Sequence, residues 1–109
     1  MEKKQITAFI KNPGQVPHLE IVDNTLEAFQ ELVGGYIETV RPFTDCLMIV
    51  NEEGRINGMQ FNCWYLGESF FGPMVFVGFD DDGNFDDMPI SFSEFMETNR
   101  SLWEQEVNA

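Results

Sequence analysis

The sequence predicts an α+β domain in which a mostly antiparallel sheet of about five to six strands carries two helices. Two observations favour this class. Short segments rich in β-branched and aromatic residues recur between turn residues, which is typical of strands. Two other segments, about 25–33 and 92–106, have apolar residues at helical spacing behind a capping residue. Of the 109 residues, 43% are hydrophobic and 14% aromatic, so we expect residues 1–109 to form a single domain around one core.

The first helix has both a start and a stop signal. Asn24 or Thr25 can cap its N-terminus, and Asn24 with Glu27 resembles a capping box. The apolar residues that follow at helical spacing are Leu26, Phe29, Leu32 and Val33. Gly34-Gly35 is expected to end the helix, because glycine readily adopts the left-handed conformation found after helix C-termini.

Strand composition occurs in segments 5–10, 18–22, 36–41, 46–50 and 74–79. Turn residues separate the first two segments, so they predict a hairpin with a loose loop. The 46–50 segment is an unbroken apolar run, which indicates a strand buried on both faces. Residues 51–54 predict a reverse turn, and residues 80–84, with an Asp-Gly dipeptide, predict a hairpin tip.

Two further segments differ in how clearly they can be assigned. Residues 57–71 leave helix, strand and loop open: Phe61, Trp64 and Tyr65 fit one helical turn, but glycines interrupt it. The second helix begins with a capping box of Ser91 and Glu94 and is expected to run to about residue 106. Its predicted apolar face consists of Phe92, Phe95, Met96, Leu102 and Trp103.

The charge of the chain is strongly negative. There are 19 acidic and 6 basic residues, for a formal net charge of −13, and segment 80–109 holds nine acidic residues against one basic residue, Arg100. Such a surface repels nucleic-acid phosphates and anionic membranes, and it attracts basic partners at long range. We therefore expect a basic protein partner, with no direct nucleic-acid binding and no membrane association.

The cysteines and the apolar runs bear on the compartment. Cys46 and Cys63 are far apart and form no CxxC pair, and no run is apolar and long enough for a signal peptide or a membrane span. We expect a cytoplasmic protein with reduced, buried thiols, although a Cys46–Cys63 disulfide is an alternative.

No motif in the sequence predicts catalysis, a metal or a cofactor. The acidic run from Asp80 to Asp86 alternates like a calcium loop, but both possible registers fail. With Gly83 as the sixth residue, the first and last ligands are Gly78 and Pro89; with Asp80 as the first, Phe85 takes the glycine position. The single histidine, His18, has no nucleophile pattern around it, so we expect a protein that is not an enzyme.

Two groups of residues are candidates for partner binding. The acidic candidates lie in the predicted hairpin tip, just after it and on the second helix: Asp80, Asp81, Asp82, Asp86, Asp87, Glu94 and Glu97. The aromatic candidates are Trp64 and Tyr65, which would be partly exposed interface anchors. The alternatives are a solvated acidic face and aromatic residues that fill the core.

Several blocks of the sequence resemble a known family. They are residues 24–38, the turn 51–54, Asn62, and residues 71–78 (Phe-Gly-Pro-Met-Val-Phe-Val-Gly), in that order. The pattern is similar to that of a family of small uncharacterised proteins, a domain of unknown function common in bacteriophages, plasmids and conjugative elements. The resemblance covers about residues 5–85 and carries no activity with it. It implies an accessory protein of a mobile element, working in bacterial cytoplasm.

Charge and resemblance together lead to one hypothesis and two rivals. The hypothesis is a non-catalytic acidic accessory protein that binds a basic host or element-encoded protein, in one version as a nucleic-acid mimic or counter-defence inhibitor. The first rival is a sponge for a small molecule such as a signal nucleotide, with Arg41 or Arg55 in an aromatic pocket. The second is a self-associating structural module with Trp64 or Tyr65 at the contact. The sequence leaves the partner and the oligomeric state open.

Overall fold

The computed structural model describes residues 3–104 of the chain. Its strands are β1 (Gln5–Lys11), β2 (His18–Asp23), β3 (Ile37–Val40), β4 (Leu47–Asn51), β5 (Phe61–Tyr65), β6 (Glu68–Phe71), β7 (Met74–Phe79) and β8 (Phe85–Asp86). Its helices are α1 (Leu26–Val33), α2 (Phe92–Thr98) and α3 (Ser101–Glu104).

The strands form one main sheet and one small sheet. The main sheet has the order β2-β1-β7-β4-β3, with β8 paired to the end of β7, and β5 and β6 form a separate two-stranded sheet. All pairs are antiparallel. The predicted α+β class with a mostly antiparallel sheet is therefore confirmed.

Both faces of the main sheet are covered, because alternate residues of each central strand point to opposite sides. On one face, Phe9, Met48 and Phe76 pack against α2, α3 and the β5–β6 hairpin. On the other face, Ile49 and Val75 pack against α1. The central strand β4 is buried on both sides, as its apolar run predicts.

The start of α1 corrects one prediction. Thr25 is the N-cap, since its Oγ1 accepts a hydrogen bond from the Ala28 N–H at 3.1 Å. The predicted Asn24–Glu27 capping box is wrong: the Asn24 amide donates to the carbonyl oxygens of Lys3 and Phe85 and so ties the helix to β8. The predicted helix end is confirmed, with Gly34 in the left-handed conformation at φ 79°.

Residues 57–71, which the sequence left open, contain a β-hairpin. Cys63 and Tyr65 of β5 are buried and Trp64 between them is exposed, which is the alternation of a strand. The register between β5 and β6 shifts between Phe61 and Cys63, and this bulge obscures the alternation in the sequence. The hairpin tip consists of only two residues, Leu66 and Gly67.

The predicted second helix is present but divided. Ser91 caps α2, since its Oγ accepts the Glu94 N–H at 3.1 Å, and α2 ends at Asn99, whose φ of −122° is not helical. The Asn99 side chain donates to the Phe95 carbonyl and accepts from the Tyr65 hydroxyl at 2.8 Å. This side-chain bonding competes with helix continuation, so the chain restarts as α3. Residues 105–106 of the predicted helix lie outside the described residues.

The segment after the hairpin tip 80–84 fills a gap in the main sheet. β1 pairs with β7 only over Phe9–Lys11, and beyond that point the chain around Asp87 lies between them. The Met88 N–H donates to the Thr7 carbonyl at 3.0 Å, and a Cβ on Gly78 would lie 2.1 Å from the Asp87 carbonyl oxygen. A glycine is therefore required at position 78 for this close approach. Within residues 3–104, no helix is long and apolar enough to cross a membrane.

Candidate functional site

The acidic tip between β7 and β8 is organised by one of its own carboxylates. Asp80 Oδ1 accepts the N–H groups of Asp82 and Asn84, both at 2.9 Å. These bonds, above all the one from the Asn84 backbone, hold the pKa of Asp80 below its ordinary value. Asp80 therefore shapes the tip, while Asp81 and Asp82 are exposed.

The next two carboxylates bind the first strand. Asp87 Oδ1 accepts the Thr7 N–H at 2.7 Å, and Asp87 Oδ2 accepts from Lys3 Nζ at 2.7 Å. Lys3 Nζ also lies 3.0 Å from Asp86 Oδ1. The bond to Lys3 and then the bond to Thr7 lower the pKa of Asp87, while the bonds to Asp87 and then Asp86 raise the pKa of Lys3. Asp87 thus holds the chain after β8 against β1, and Asp86 adds an ion pair with Lys3, just before β1.

The carboxylates of α2 are less engaged. The Glu94 and Glu97 side chains are exposed, and within residues 3–104 neither has a basic side chain within 4.0 Å. Further along, Glu104 lies 4.0 Å from Arg100 on the exposed surface. Glu94 is in the first turn of α2, where a negative charge is favourable at the positive end of the helix dipole.

These acidic residues follow the chain around one end of the main sheet. Phe85, just after the tip, packs with Phe29 of α1 on one face, with ring centroids 5.1 Å apart. Met88 belongs to the cluster on the other face, where α2 begins. We call the carboxylates from this stretch the acidic band; they are Asp80, Asp81, Asp82, Asp86, Asp87, Glu94 and Glu97. The band passes from the α1 face to the α2 face and is not confined to one of them.

The two aromatic candidates differ in their surroundings. Trp64 is 59% exposed and lies 6.3 Å, centroid to centroid, from the ring of Phe61, which is also exposed. Tyr65 is 7% exposed, and its hydroxyl donates to Asn99. Burial raises the pKa of Tyr65 above its ordinary range. The prediction that Tyr65 is a partly exposed anchor is wrong, because β-strand alternation turns it into the core, where it fixes the end of α2.

A cavity of about 470 Å³ lies between the hairpin tip and α2. We call it the hairpin cleft. The loop before β4, the hairpin tip, and the segment from Ile90 to Ser101 form its walls, and the residues used below are Phe43, Thr44, Leu66, Ile90, Glu94 and Asn99. Its volume is within the range of about 300–1,000 Å³ that ligand sites occupy.

The two arginines considered for a nucleotide pocket lie apart. Arg41 stacks over the ring of Phe79 at 4.8 Å, and Arg55 stacks over Phe71 at 5.1 Å and bonds the Ser69 hydroxyl. A cavity of about 220 Å³ borders Arg55, and its walls also include Glu38, Glu52 and Glu68. Three carboxylates around one arginine disfavour a phosphate group there.

The thiols are buried apart from one another. Cys46 Sγ lies 3.8 Å from Met88 Sδ, and Cys63 Sγ lies 3.5 Å from Met74 Sδ. Cys46 and Cys63 do not form a disulfide with each other, and burial raises the pKa of the Cys46 thiol to about 12. A thiol in that state is a poor nucleophile and a poor metal ligand. In the part of the chain that the structure describes, no group of three or more His, Cys, Asp and Glu residues is arranged to hold a metal ion.

A match to a family model shows which family the chain belongs to. The model of a domain of unknown function, DUF3846, matches residues 6–99. The chain belongs to this family. No curated protein matches the DUF3846 chain, and no solved structure matches it.

The blocks that carried the family resemblance have structural roles in this DUF3846 domain. The Asn51 amide donates to the Val33 carbonyl at the end of α1, and a Cβ on Gly35 would lie 2.8 Å from that amide nitrogen. A Cβ on Gly54 would lie 2.7 Å from the Phe71 carbonyl oxygen. Close packing of turns against strand ends thus accounts for these residues.

Sequence reasoning missed a buried polar cluster between β1 and the hairpin. The Asn62 amide donates to the carbonyl oxygens of Lys11 and Gly72, both at 2.8 Å, and Lys11 Nζ donates to Asn62 Oδ1 at 2.9 Å. Lys11 is fully buried. The position of Asn62 in the family pattern is a signal for this cluster, whereas Lys11 falls in the segment between 5–10 and 18–22, which the sequence predicts as a loop.

Proposed function

We propose that this DUF3846 protein is a non-catalytic accessory protein of a mobile genetic element, which binds a basic host or element-encoded protein in the bacterial cytoplasm. The observation that carries the proposal is the unneutralised charge of the acidic band and its surroundings. The chain has a net charge of −13, so its 6 basic side chains are too few to offset its 19 acidic ones.

The positions of the basic residues support this. Lys3 is held by Asp86 and Asp87, and Lys11 is buried. Arg41 and Arg55 stack on aromatic rings. Asp81, Asp82, Glu94 and Glu97 are exposed. Within residues 3–104 none of these four has a basic side chain within 4.0 Å. A field of this kind accelerates association with a positively charged surface.

In its concrete form, the proposal is that these carboxylates replace nucleic-acid phosphates in the basic groove of a host defence enzyme or regulator. Asp86 and Asp87 contribute to the field, although their bonds to Lys3 weaken their part in direct contact. Trp64, exposed beside Phe61, is the aromatic candidate for the same interface.

Affinity capture from a bacterial lysate, at low and at high ionic strength, tests the proposal. We expect a basic or nucleic-acid-handling protein to be enriched at low salt and lost at high salt, because salt screens exposed charges beyond about 8–10 Å. Enrichment of no basic protein at low salt would remove the basis of the proposal.

A matched pair of variants separates a specific surface from net charge alone. The band variant reverses Asp81, Asp82 and Glu97 to lysine, and the control variant reverses three exposed acids elsewhere: Glu31, Glu38 and Glu52. Each reversal adds two charges to −13, so both variants have a formal net charge of −7. We expect the band variant to lose the partner and the control to retain it. Equal loss in both variants would indicate non-specific attraction.

A further inference from the structure

The tip of the β5–β6 hairpin carries a leucine in a conformation that leucine disfavours. Leu66 has φ 54° and Gly67 has φ 76°, so both residues of the two-residue turn are left-handed. Glycine adopts this conformation without steric cost, but the Cβ of leucine approaches the following carbonyl oxygen. Asparagine is the residue that such turns favour before glycine.

Core packing does not account for the leucine either. The Leu66 side chain is 50% exposed at the rim of the hairpin cleft. Neither the turn nor the buried core therefore favours leucine at this position over asparagine. The exposed half of its side chain offers apolar surface at the cleft rim.

A second non-glycine residue with positive φ adjoins the cleft wall. Asp45, with φ 63°, follows Thr44 of the cleft wall. Within residues 3–104, Asp45 and Leu66 are the non-glycine residues with positive φ. Sparsely populated conformations concentrate at ligand sites, where surrounding structure maintains them.

The base of the cleft is held rigidly. The Asn99 amide donates to the Phe95 carbonyl at 3.1 Å, and Asn99 Oδ1 accepts from the buried Tyr65 hydroxyl. The Thr98 hydroxyl donates to the Glu94 carbonyl at 2.8 Å. A ligand therefore meets a preformed wall and does not have to order it, which reduces the cost of binding.

The charge of the cleft selects the class of ligand. Among residues 3–104, Glu94 is the charged residue of its walls, and no basic residue lines it. Phe43, Leu66 and Ile90 supply apolar surface. An anionic ligand such as a nucleotide is disfavoured, whereas a cationic group on an aliphatic stem matches both features. Arginine and lysine side chains have this form.

We infer that the hairpin cleft binds an arginine or lysine side chain of the basic partner, with its stem against Leu66 and Phe43 and its cationic head at Glu94. This inference rests on the proposed function and names the contact through which the partner is recognised. Leu66 is then a specificity-determining residue, retained in spite of the turn it disfavours.

A pair of peptides tests the cleft directly. Titration of the ¹⁵N-labelled full-length protein with Ac-Gly-Leu-Arg-Leu-Gly-NH₂ is expected to shift the amide signals of Leu66, Glu94 and Thr98, with a Kd of about 1 mM or tighter. The peptide with glutamine in place of arginine should not shift them. Equal shifts with both peptides, shifts confined to residues 80–84, or no shift would each overturn the inference. Shifts of the cleft signals with AMP in place of the peptide would favour a small-molecule site and also overturn it.

Two variants connect the turn to binding. Leu66→Asn should raise the Tm by about 4 °C, since it relieves the turn, while weakening binding of the arginine peptide about tenfold. Leu19→Asn removes an equally exposed leucine from β2 and should leave peptide binding unchanged. Leu66→Asn with unchanged affinity would overturn the inference.

The glutamate is tested without disturbing the helix. Glu94→Gln keeps a residue suited to the capping position of α2 but removes the charge, so peptide binding should fall while the Tm decreases by only a few degrees, the effect of one favourable charge at the helix N-terminus. If Glu94→Gln and Leu66→Asn both capture a basic partner as well as the unmodified protein does, the cleft inference fails and the proposed function stands. If no basic partner is captured at all, the proposed function fails, whatever the peptide shows.

Discussion

Asp87 distinguishes a structural carboxylate from one that is free for a partner. Replacing it with alanine removes two acceptors: Oδ1, 2.7 Å from the Thr7 nitrogen, and Oδ2, 2.7 Å from Lys3 Nζ. A hydrogen bond to a charged group contributes about 1.5–3 kcal/mol, and an exposed ion pair about 0–1 kcal/mol. Because the lysine end is solvent-exposed, we expect Asp87→Ala to lower the free energy of unfolding by about 2 kcal/mol.

Asp87→Asn separates the contribution of the Thr7 bond from that of the Lys3 ion pair. The asparagine oxygen still accepts the Thr7 N–H, but the ion pair with Lys3 is lost, so the expected cost is about 1 kcal/mol. Asp81→Ala, at an exposed position of the same acidic band, is the control and should change the free energy of unfolding by less than about 0.5 kcal/mol. Urea titration at pH 7, followed by circular dichroism, measures all three variants.

The effect of Asp87 should depend on pH with a definite sign. Its contacts lower the pKa of the folded state, so its contribution is fully present above the unfolded pKa of about 3.9 and is lost as the pH falls through the folded value. The difference between Asp87→Ala and the unmodified protein should therefore shrink below about pH 4. A variant as stable as the unmodified protein at pH 7, or a difference that persists unchanged in acid, would refute the structural role of Asp87.

Three further predictions concern the core. Asn62→Ala should lower the free energy of unfolding, measured by urea titration, by about 3 kcal/mol, because it removes the buried side chain that bonds Gly72 and Lys11. A decrease below about 1 kcal/mol would contradict a stabilising role for this polar cluster. Gly78→Ala should lower the free energy of unfolding by about 3 kcal/mol, since the new Cβ would lie 2.1 Å from a backbone oxygen. An unchanged free energy of unfolding would mean that the chain after β8 does not fill the gap in the sheet. Cys46 and Cys63 should resist a thiol reagent at pH 8 and react in urea, as counted by mass spectrometry; rapid labelling of the folded protein would contradict their burial.

Local signals allowed part of the fold to be predicted. The end of α1 can be predicted from Gly34, which adopts the left-handed conformation. Strand β7 can be predicted from an apolar run with turn residues on both sides. The start of α1 did not follow, since Asn24 and Thr25 are both good caps. Only the tertiary bonds of Asn24 to Lys3 and Phe85 leave Thr25 as the cap.

The parts that could not be predicted depend on contacts distant in sequence. The β5–β6 turn lacks the residues that usually identify a hairpin, because Leu66 takes the place of asparagine. The division of the second helix depends on a bond between Asn99 and Tyr65, which are 34 residues apart. Strand alternation, which the bulge in β5 obscures, explains why Tyr65 is no surface anchor although its sequence neighbour Trp64 is exposed.

The sequence predicts which residues belong to the candidate site, but it does not predict how they are arranged. The exposure of Asp81, Asp82 and Glu97 follows from their chemistry, since unpaired carboxylates stay in water. The attachment of Asp86 and Asp87 to Lys3 depends on β8 lying beside β1, which no local pattern indicates.

The association rate of the captured partner with the two charge-reversal variants of equal net charge is the decisive measurement of whether the acidic band recognises that partner. If the acidic band is the recognition surface, reversal of Asp81, Asp82 and Glu97 should slow association about tenfold or more at low salt, and reversal of Glu31, Glu38 and Glu52 should have little effect. Equal slowing in both variants would contradict the account, because the carboxylates would then act only through the overall charge of the protein.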